Sequence, residues 1–124
     1  MIELTEKPID PKEIYNRISK DVSGSVMIHF GMVKPIAEGK RTKGIQFVPD
    51  GDMEGEMRQV EAELREKWDI EDVLFICRIG NLNVGEVIAV TAIAADGRHS
   101  AFDACRDAVE KYKNMKSIKK KELF

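Results

Sequence analysis

Two helical stripes and two apolar runs dominate the hydrophobic pattern. Met53, Met57, Val60, Leu64 and Trp68 recur at spacings of four, three, four and four. They mark one face of a helix whose other face carries Glu, Arg and Lys. Ala101, Cys105, Ala108, Tyr112 and Met115 form a second stripe, flanked by Phe102 and Val109. Between the stripes lie DVLFICRI (72–79) and EVIAVTAIA (86–94). Each is too continuously apolar for a half-exposed strand, so both are predicted to be buried on both faces. The intervening GNLNVG (80–85) is too short for a crossover helix, which makes the two strands antiparallel neighbours.

The N-terminal half is less regular. Asp10-Pro11 is a helix start, with Asp as cap and Pro at the first helical position. It predicts a helix over 11–19 with Ile14 and Ile18 inward and Tyr15 beside them. Ser23-Gly24 ends that segment, and SVMIHFGMV (25–33) reads as a strand. Residues 35–43, PIAEGKRTK, have Pro, Gly and charges without periodicity, and predict a mobile loop that orders on ligand binding. Gly44 to Val48 reads as a short strand. The order helix, strand, strand, helix, strand, strand, helix predicts an α+β fold, a mainly antiparallel sheet with helices packed on one face. Residues 1–124 are expected to form one domain, without repeats, linkers or low-complexity segments.

Composition narrows the function classes. The formal net charge is −2, so any basic site must be local, and the lysines concentrate in the last residues, KSIKKKELF. Binding of nucleic acid by that tail is disfavoured, because the chain is acidic overall and no aromatic platform accompanies the lysines. No apolar run approaches the roughly 20 residues of a membrane helix. MIELTEKPIDP lacks the layout of a signal peptide, so a cytoplasmic location is expected. Cys77 and Cys105 sit in apolar stretches and read as buried thiols in a reducing compartment. His29 and His99 have no partners at ligand spacing, so no metal site is expected. Gly-rich phosphate loops and nucleophile elbows are absent. What remains is positive charge at particular places. Arg98 opens a helix, where free N–H groups and the dipole favour an anion. Lys113 lies near that helix's C-terminus, and Lys120 would share its face if the helix ran on. From spacing alone, capping and solvation are the more ordinary explanations of these cations.

The C-terminal half carries a more specific pattern. Arg78-Ile79-Gly80, Gly85-Glu86, an apolar strand, then Arg98-His99-Ser100-Ala101-Phe102-Asp103-Ala104 and Lys113 resemble the large, catalytic subunit of molybdopterin synthase. Gly24-Ser25-Val26, Gly31 with Val33, and Trp68 extend the resemblance upstream. It implies that family's α/β hammerhead fold and its reaction. Sulfur passes from the C-terminal thiocarboxylate of a small ubiquitin-like carrier subunit to cyclic pyranopterin monophosphate, one atom per thiocarboxylate, until the two sulfurs of a dithiolene are in place. It further implies a homodimer within a heterotetramer, no resident cofactor, and no metal in the sulfur step. Lys113 and Lys120 match the family's catalytic lysines, Arg98 matches the substrate-anion arginine, and Lys34 stands where the family usually has Arg.

The chain departs from the family pattern in two places. Gly97 occupies the position of a histidine that usually precedes the arginine, and His99, just after Arg98, is either a candidate substrate contact in its stead or a plain surface histidine. Many members also continue past the position of Phe124. Two expectations follow: a sulfur-transferring synthase subunit, or a divergent paralogue that binds a ubiquitin-like partner or an anionic ligand without turnover.

Overall fold

The computed structural model describes residues 1–124. The two long apolar runs form adjacent antiparallel strands, β6 (Asp72–Arg78) and β8 (Val87–Ala95), paired from Asp72↔Ala94 to Cys77↔Ala89. Strand β2 (Ser25–Met32) continues the sheet on the far side of β8, also antiparallel, with Ser25 opposite Ala95 and Met32 opposite Val87. A fourth strand, β1 (Ile2–Thr5), pairs parallel with β6 and gives the order β1-β6-β8-β2. The sequence pattern predicts no strand there. Its signal was only Ile2 and Leu4 alternating with Glu3 and Thr5, too short to separate from a disordered end.

Both long helices lie on one face of this sheet, as the pattern predicts. Helix α2 (Met53–Lys67) buries Met53, Met57, Val60 and Leu64, and α3 (Arg98–Lys113) buries Ala101, Ala104, Cys105 and Ala108. They meet Val73, Phe75, Cys77 and Ile93, the alternate residues that point to that face. The other face carries Leu74, Ile76, Val90, Ala92 and Ala94 and is covered by Ile14 and Ile18. These two come from the predicted first helix, which is shorter than expected. A 3₁₀ turn at Pro11–Glu13 leads into α1 (Ile14–Arg17), and Ile18 is already extended. Asp10 caps the turn as its sequence implies, accepting from the Lys12 amide at 3.0 Å.

A second, three-stranded sheet stands at one end of the first, in the order β7-β5-β9. Its centre is β5 (Gly44–Pro49), and its outer strands are β7 (Gly80–Asn83) and β9 (Ile118–Leu123). Gly80, at φ 99°, turns the chain out of β6 and into this sheet, a conformation that only glycine adopts freely. Thus GNLNVG is more than a connection, because its first four residues pair with β5. Gly44 faces Leu82 so closely that a Cβ would lie 2.1 Å from its carbonyl oxygen. Val33, Ile45, Phe47 and Leu82 form the small core beneath. Residues 35–43 contain a minimal hairpin, β3 (Ile36–Ala37) with β4 (Lys40–Arg41), closed by the Thr42 amide donating to the Pro35 carbonyl at 3.0 Å. The lysine-rich tail is neither a frayed end nor a helix. It is β9, paired with β5 from Ile118↔Pro49 to Leu123↔Gly44.

Candidate functional site

Topology decides which candidate residues meet. Helix α3 follows β8 and runs back along it. It therefore starts at the end of the main sheet where Ser25 faces Ala95, and finishes at the end where Met32 faces Val87. With 16 residues, it is about 24 Å long. Arg98 and His99 open it and Lys113 closes it. Lys34 belongs to Lys113's end. It follows Val33, whose amide donates to the Glu86 carbonyl at 3.0 Å and whose carbonyl accepts from Gly85 at 2.9 Å. The small sheet, with Lys120, stands at this same end.

The pleat of β9 separates Lys120 from its neighbours. Lys120 lies opposite Phe47, Ile118 opposite Pro49 and Glu122 opposite Ile45. Paired residues share a face, so Lys120 is on the side of the small sheet that carries Phe47 and Ile45, the side turned to the core. Lys119 and Lys121 lie opposite Val48 and Gln46, on the outer face. There Lys119 is paired with Asp50 at 3.3 Å. Ile118, beside Lys120, packs with Met115 and Tyr112 at the end of α3. A four-residue turn, 114–117, is all that separates α3 from β9.

Of the five residues singled out in the sequence, the chain therefore gathers Lys34, Lys113 and Lys120 at one end and leaves Arg98 and His99 at the other. All five are exposed. Further cations join the lysine end: Lys40 and Arg41 from β4, Lys43, and Lys116. The Lys40 ammonium lies 5.7 Å from the centre of the Phe124 ring. Arg98 follows Gly97, which supplies no side-chain cap, so the first amides of α3 stay open.

Negative charge is segregated elsewhere. A surface depression of about 470 Å³ lies between α2 and α3 and is lined by Glu56, Gln59, Glu63, Asp107 and Glu110, among others. Its one lysine, Lys111, is held by Glu63 at 2.8 Å. A depression walled by carboxylates repels anionic reactants. The two cysteines are buried beside the helices. Burial pushes the Cys77 thiol far up and raises that of Cys105 as well. Both stay protonated and out of reach, so neither is suited to carrying sulfur.

Arg78, quoted in the motif but given no role, is buried and paired with Glu86 at 2.7 Å. The second Glu86 oxygen accepts from the Asn83 amide at 2.5 Å. The pair fixes the turn that holds Val33, and hence the base of Lys34. Its Nε has no hydrogen-bond partner.

These features define an α+β protein with two helices on one face of its main sheet and a lysine-edged second sheet at one end. The profile of the MoaE protein family matches residues 4–115, and the chain belongs to that family. The match spans Lys34, Arg98, His99 and Lys113 and stops short of Lys120. The chain is 32% identical over 123 residues to the molybdopterin synthase catalytic subunit of Bacillus subtilis (strain 168), covering 98% of this chain and 78% of that one. Its structure is similar to that of molybdopterin synthase from Staphylococcus aureus, with a TM-score of 0.90, 24% identity, and 98% and 90% of the two chains covered. The fold also matches a chain in the protein–protein complex of subunits 1 and 2 of molybdopterin-converting factor from Helicobacter pylori 26695. There the TM-score is 0.74 and the identity 12%, with 99% and 88% covered. No helix is long and apolar enough to cross a membrane.

Proposed function

We propose that this chain is the catalytic subunit of a molybdopterin synthase. It moves sulfur from the C-terminal thiocarboxylate of a small ubiquitin-like carrier to cyclic pyranopterin monophosphate. The observation that supports this most directly is that Lys34, Lys113 and Lys120, which shares the face of Phe47, lie at one end of the fold while both thiols are buried. Phosphate and thiocarboxylate are both anions, and they approach each other only where fixed cations offset their repulsion. Lys113 and Lys120 are the catalytic pair, stabilising charge as the cyclic phosphate opens and carrying protons to and from it. Lys34 holds phosphate as a point charge where an arginine would grip two oxygens. The sulfur stays on the carrier until it reaches the pterin.

Arg98 and His99 require a second protomer. They stand about 24 Å from Lys113 along α3, too far to share one small substrate within a chain. A two-fold axis that sets two α3 helices antiparallel brings the Arg98 of one protomer to the Lys113 of the other. The free edge of β2, beside α3, suits such an association. The assembly is then a homodimer with one carrier subunit bound at each lysine end.

The test is to supply thiocarboxylated carrier and cyclic pterin and measure dithiolene product. Wild type is expected to turn over, and Lys113→Ala to lose about 10²–10⁴-fold, the range for removing a positioned acid–base group. Equal product from both would overturn the assignment, and no wild-type product despite carrier binding would identify a binding module. Mixing inactive Lys113→Ala with inactive Arg98→Ala tests the shared site. Mixed dimers keep one intact site of two, so random exchange restores about one quarter of wild-type activity. No recovery after demonstrated exchange would place both residues' roles within one chain.

A further inference from the structure

The catalytic pair depends on a turn that neither lysine belongs to. Lys113 ends α3 and Lys120 lies within β9, so their relative position is set by residues 114–117. Asn114 and Met115 finish the helix, donating from their amides to Glu110 and Tyr112 carbonyls at 3.1 Å each. Beyond them the amides of Lys116 and Ser117 have left the helix ladder. One side chain from a distant part of the sequence receives both. Glu56, in the first turn of α2, accepts from the Lys116 amide at 3.1 Å, the Ser117 amide at 2.9 Å and the Ser117 hydroxyl at 2.5 Å. The Asp50 amide, just before α2, donates to the Ser117 carbonyl at 2.6 Å. Glu56 is itself fixed, because its neighbours Met53 and Met57 are buried core residues.

We propose that Glu56 is a positioning residue for sulfur transfer, clamping the 116–117 turn so that Lys113 and Lys120 are held at one separation. The inference rests on the reading of those two lysines as the catalytic pair. Glu56 touches no reactant, since its carboxylate is spent on the turn. Three donors converge on one carboxylate, more than joining a helix to an edge strand requires. Met115 and Ser117 are already buried there. What the carboxylate adds is a fixed angle between α3 and β9, and misplacing a catalytic group by about 1 Å can cost on the order of 10²-fold in rate.

The experiment uses the full chain with its carrier. Spin labels on cysteines at positions 113 and 120, with Cys77 and Cys105 replaced by alanine, report the distance distribution with and without Glu56→Ala. The expected result is a narrow distribution that broadens in Glu56→Ala and narrows again in Glu56→Gln, whose amide oxygen still accepts. In the otherwise unaltered enzyme, Glu56→Ala is expected to lower kcat at least tenfold with KM for the pterin within threefold, and Glu56→Gln to recover most of it. A merely structural role would lower the melting temperature and the active fraction while leaving kcat per folded molecule and the distance distribution unchanged. That outcome overturns the proposal. If Lys113→Ala and Lys120→Ala prove fully active, the lysine assignment has failed instead. The distance measurement still shows whether Glu56 holds the turn.

Discussion

The two sheets are built on opposite principles. In the four-stranded sheet β6 and β8 are almost wholly buried, and Phe75, Ile76, Cys77, Val90, Ala92 and Ile93 have no exposed surface at all. The three-stranded sheet has four buried apolar side chains in its core cluster and an outer strand, IKKKEL, that is half lysine. The first has the burial from which stability comes. The second carries little apolar burial and most of the local positive charge, and edge lysines also keep β9 from pairing with foreign strands. Apolar burial and exposed lysines are thus divided between the two sheets, which are joined at Gly80 and by the Arg78–Glu86 pair.

The largest expected effect comes from emptying the core of the first sheet. Phe75 is fully buried and meets Tyr112 edge-to-face at 6.0 Å between ring centres. Phe75→Ala should cost about 3–5 kcal/mol, the usual penalty for emptying an aromatic site in a core. Urea unfolding followed by circular dichroism measures it. At concentrations where the variant remains folded, sulfur transfer per folded molecule should stay within threefold of wild type. A destabilisation under about 1 kcal/mol would mean that the main sheet is not where stability resides.

The same division governs what could be read from the sequence. Period-3.6 stripes and continuous apolar runs are signals written by burial, and they located α2, α3, β6 and β8 nearly to the residue. The smaller sheet is made by pairing β5 with segments far away in the chain, and it buries too little to leave a period. Strand β9 therefore read as a tail, and β7 as a connection. The candidate cations were legible only through a motif, since a lysine on a surface has no periodicity to betray it. That motif gives Arg98 an anion-binding role and Lys113 a catalytic one without saying whether they meet within one chain or across two. The direction of α3 along β8 sets them at opposite ends. Glu56 was not legible at all, because its partners lie sixty residues on and its own surroundings read as an ordinary charged helix face.

A smaller effect sharpens the comparison inside the second sheet. Three consecutive lysines carry the same charge at nearly the same place, yet the pleat gives only Lys120 the face of Phe47. Lys120→Ala should lower sulfur transfer by about 10²-fold or more. Lys119→Ala and Lys121→Ala, on the outer face, should each change it less than about threefold, the ordinary effect of one exposed charge. Steady-state rates at low and moderate salt make the measurement. Equal losses at all three positions would mean that the lysines act as a diffuse field rather than through a particular ammonium.

The smallest effect concerns a device that both regions use. Glu71, just before β6, clamps the 21–23 turn to the main sheet, accepting from the Asp21 amide at 2.9 Å, the Val22 amide at 3.1 Å and the Ser23 hydroxyl at 2.5 Å. Glu56 does the same for the 116–117 turn. Both carboxyls lie below their ordinary value of 4.5. At Glu71 the Ser23 hydroxyl is the main cause. At Glu56 burial pushes upward, and the Ser117 and Lys116 donors outweigh it. A carboxyl depressed in the folded state adds stability above its unfolded value near 4.5, and that contribution fades as pH falls through the lower folded value. Glu71→Gln should therefore be less stable than wild type at neutral pH, and its urea midpoint should approach the wild-type midpoint as the solution is taken below pH 4. Sulfur transfer by Glu71→Gln should be unchanged, because its turn carries no reactive group. The same chemistry, three donors on one carboxylate, would then be structural in one sheet and catalytic in consequence in the other. A parallel loss of activity in Glu71→Gln would erase that distinction and show that clamping any turn tightens the whole molecule.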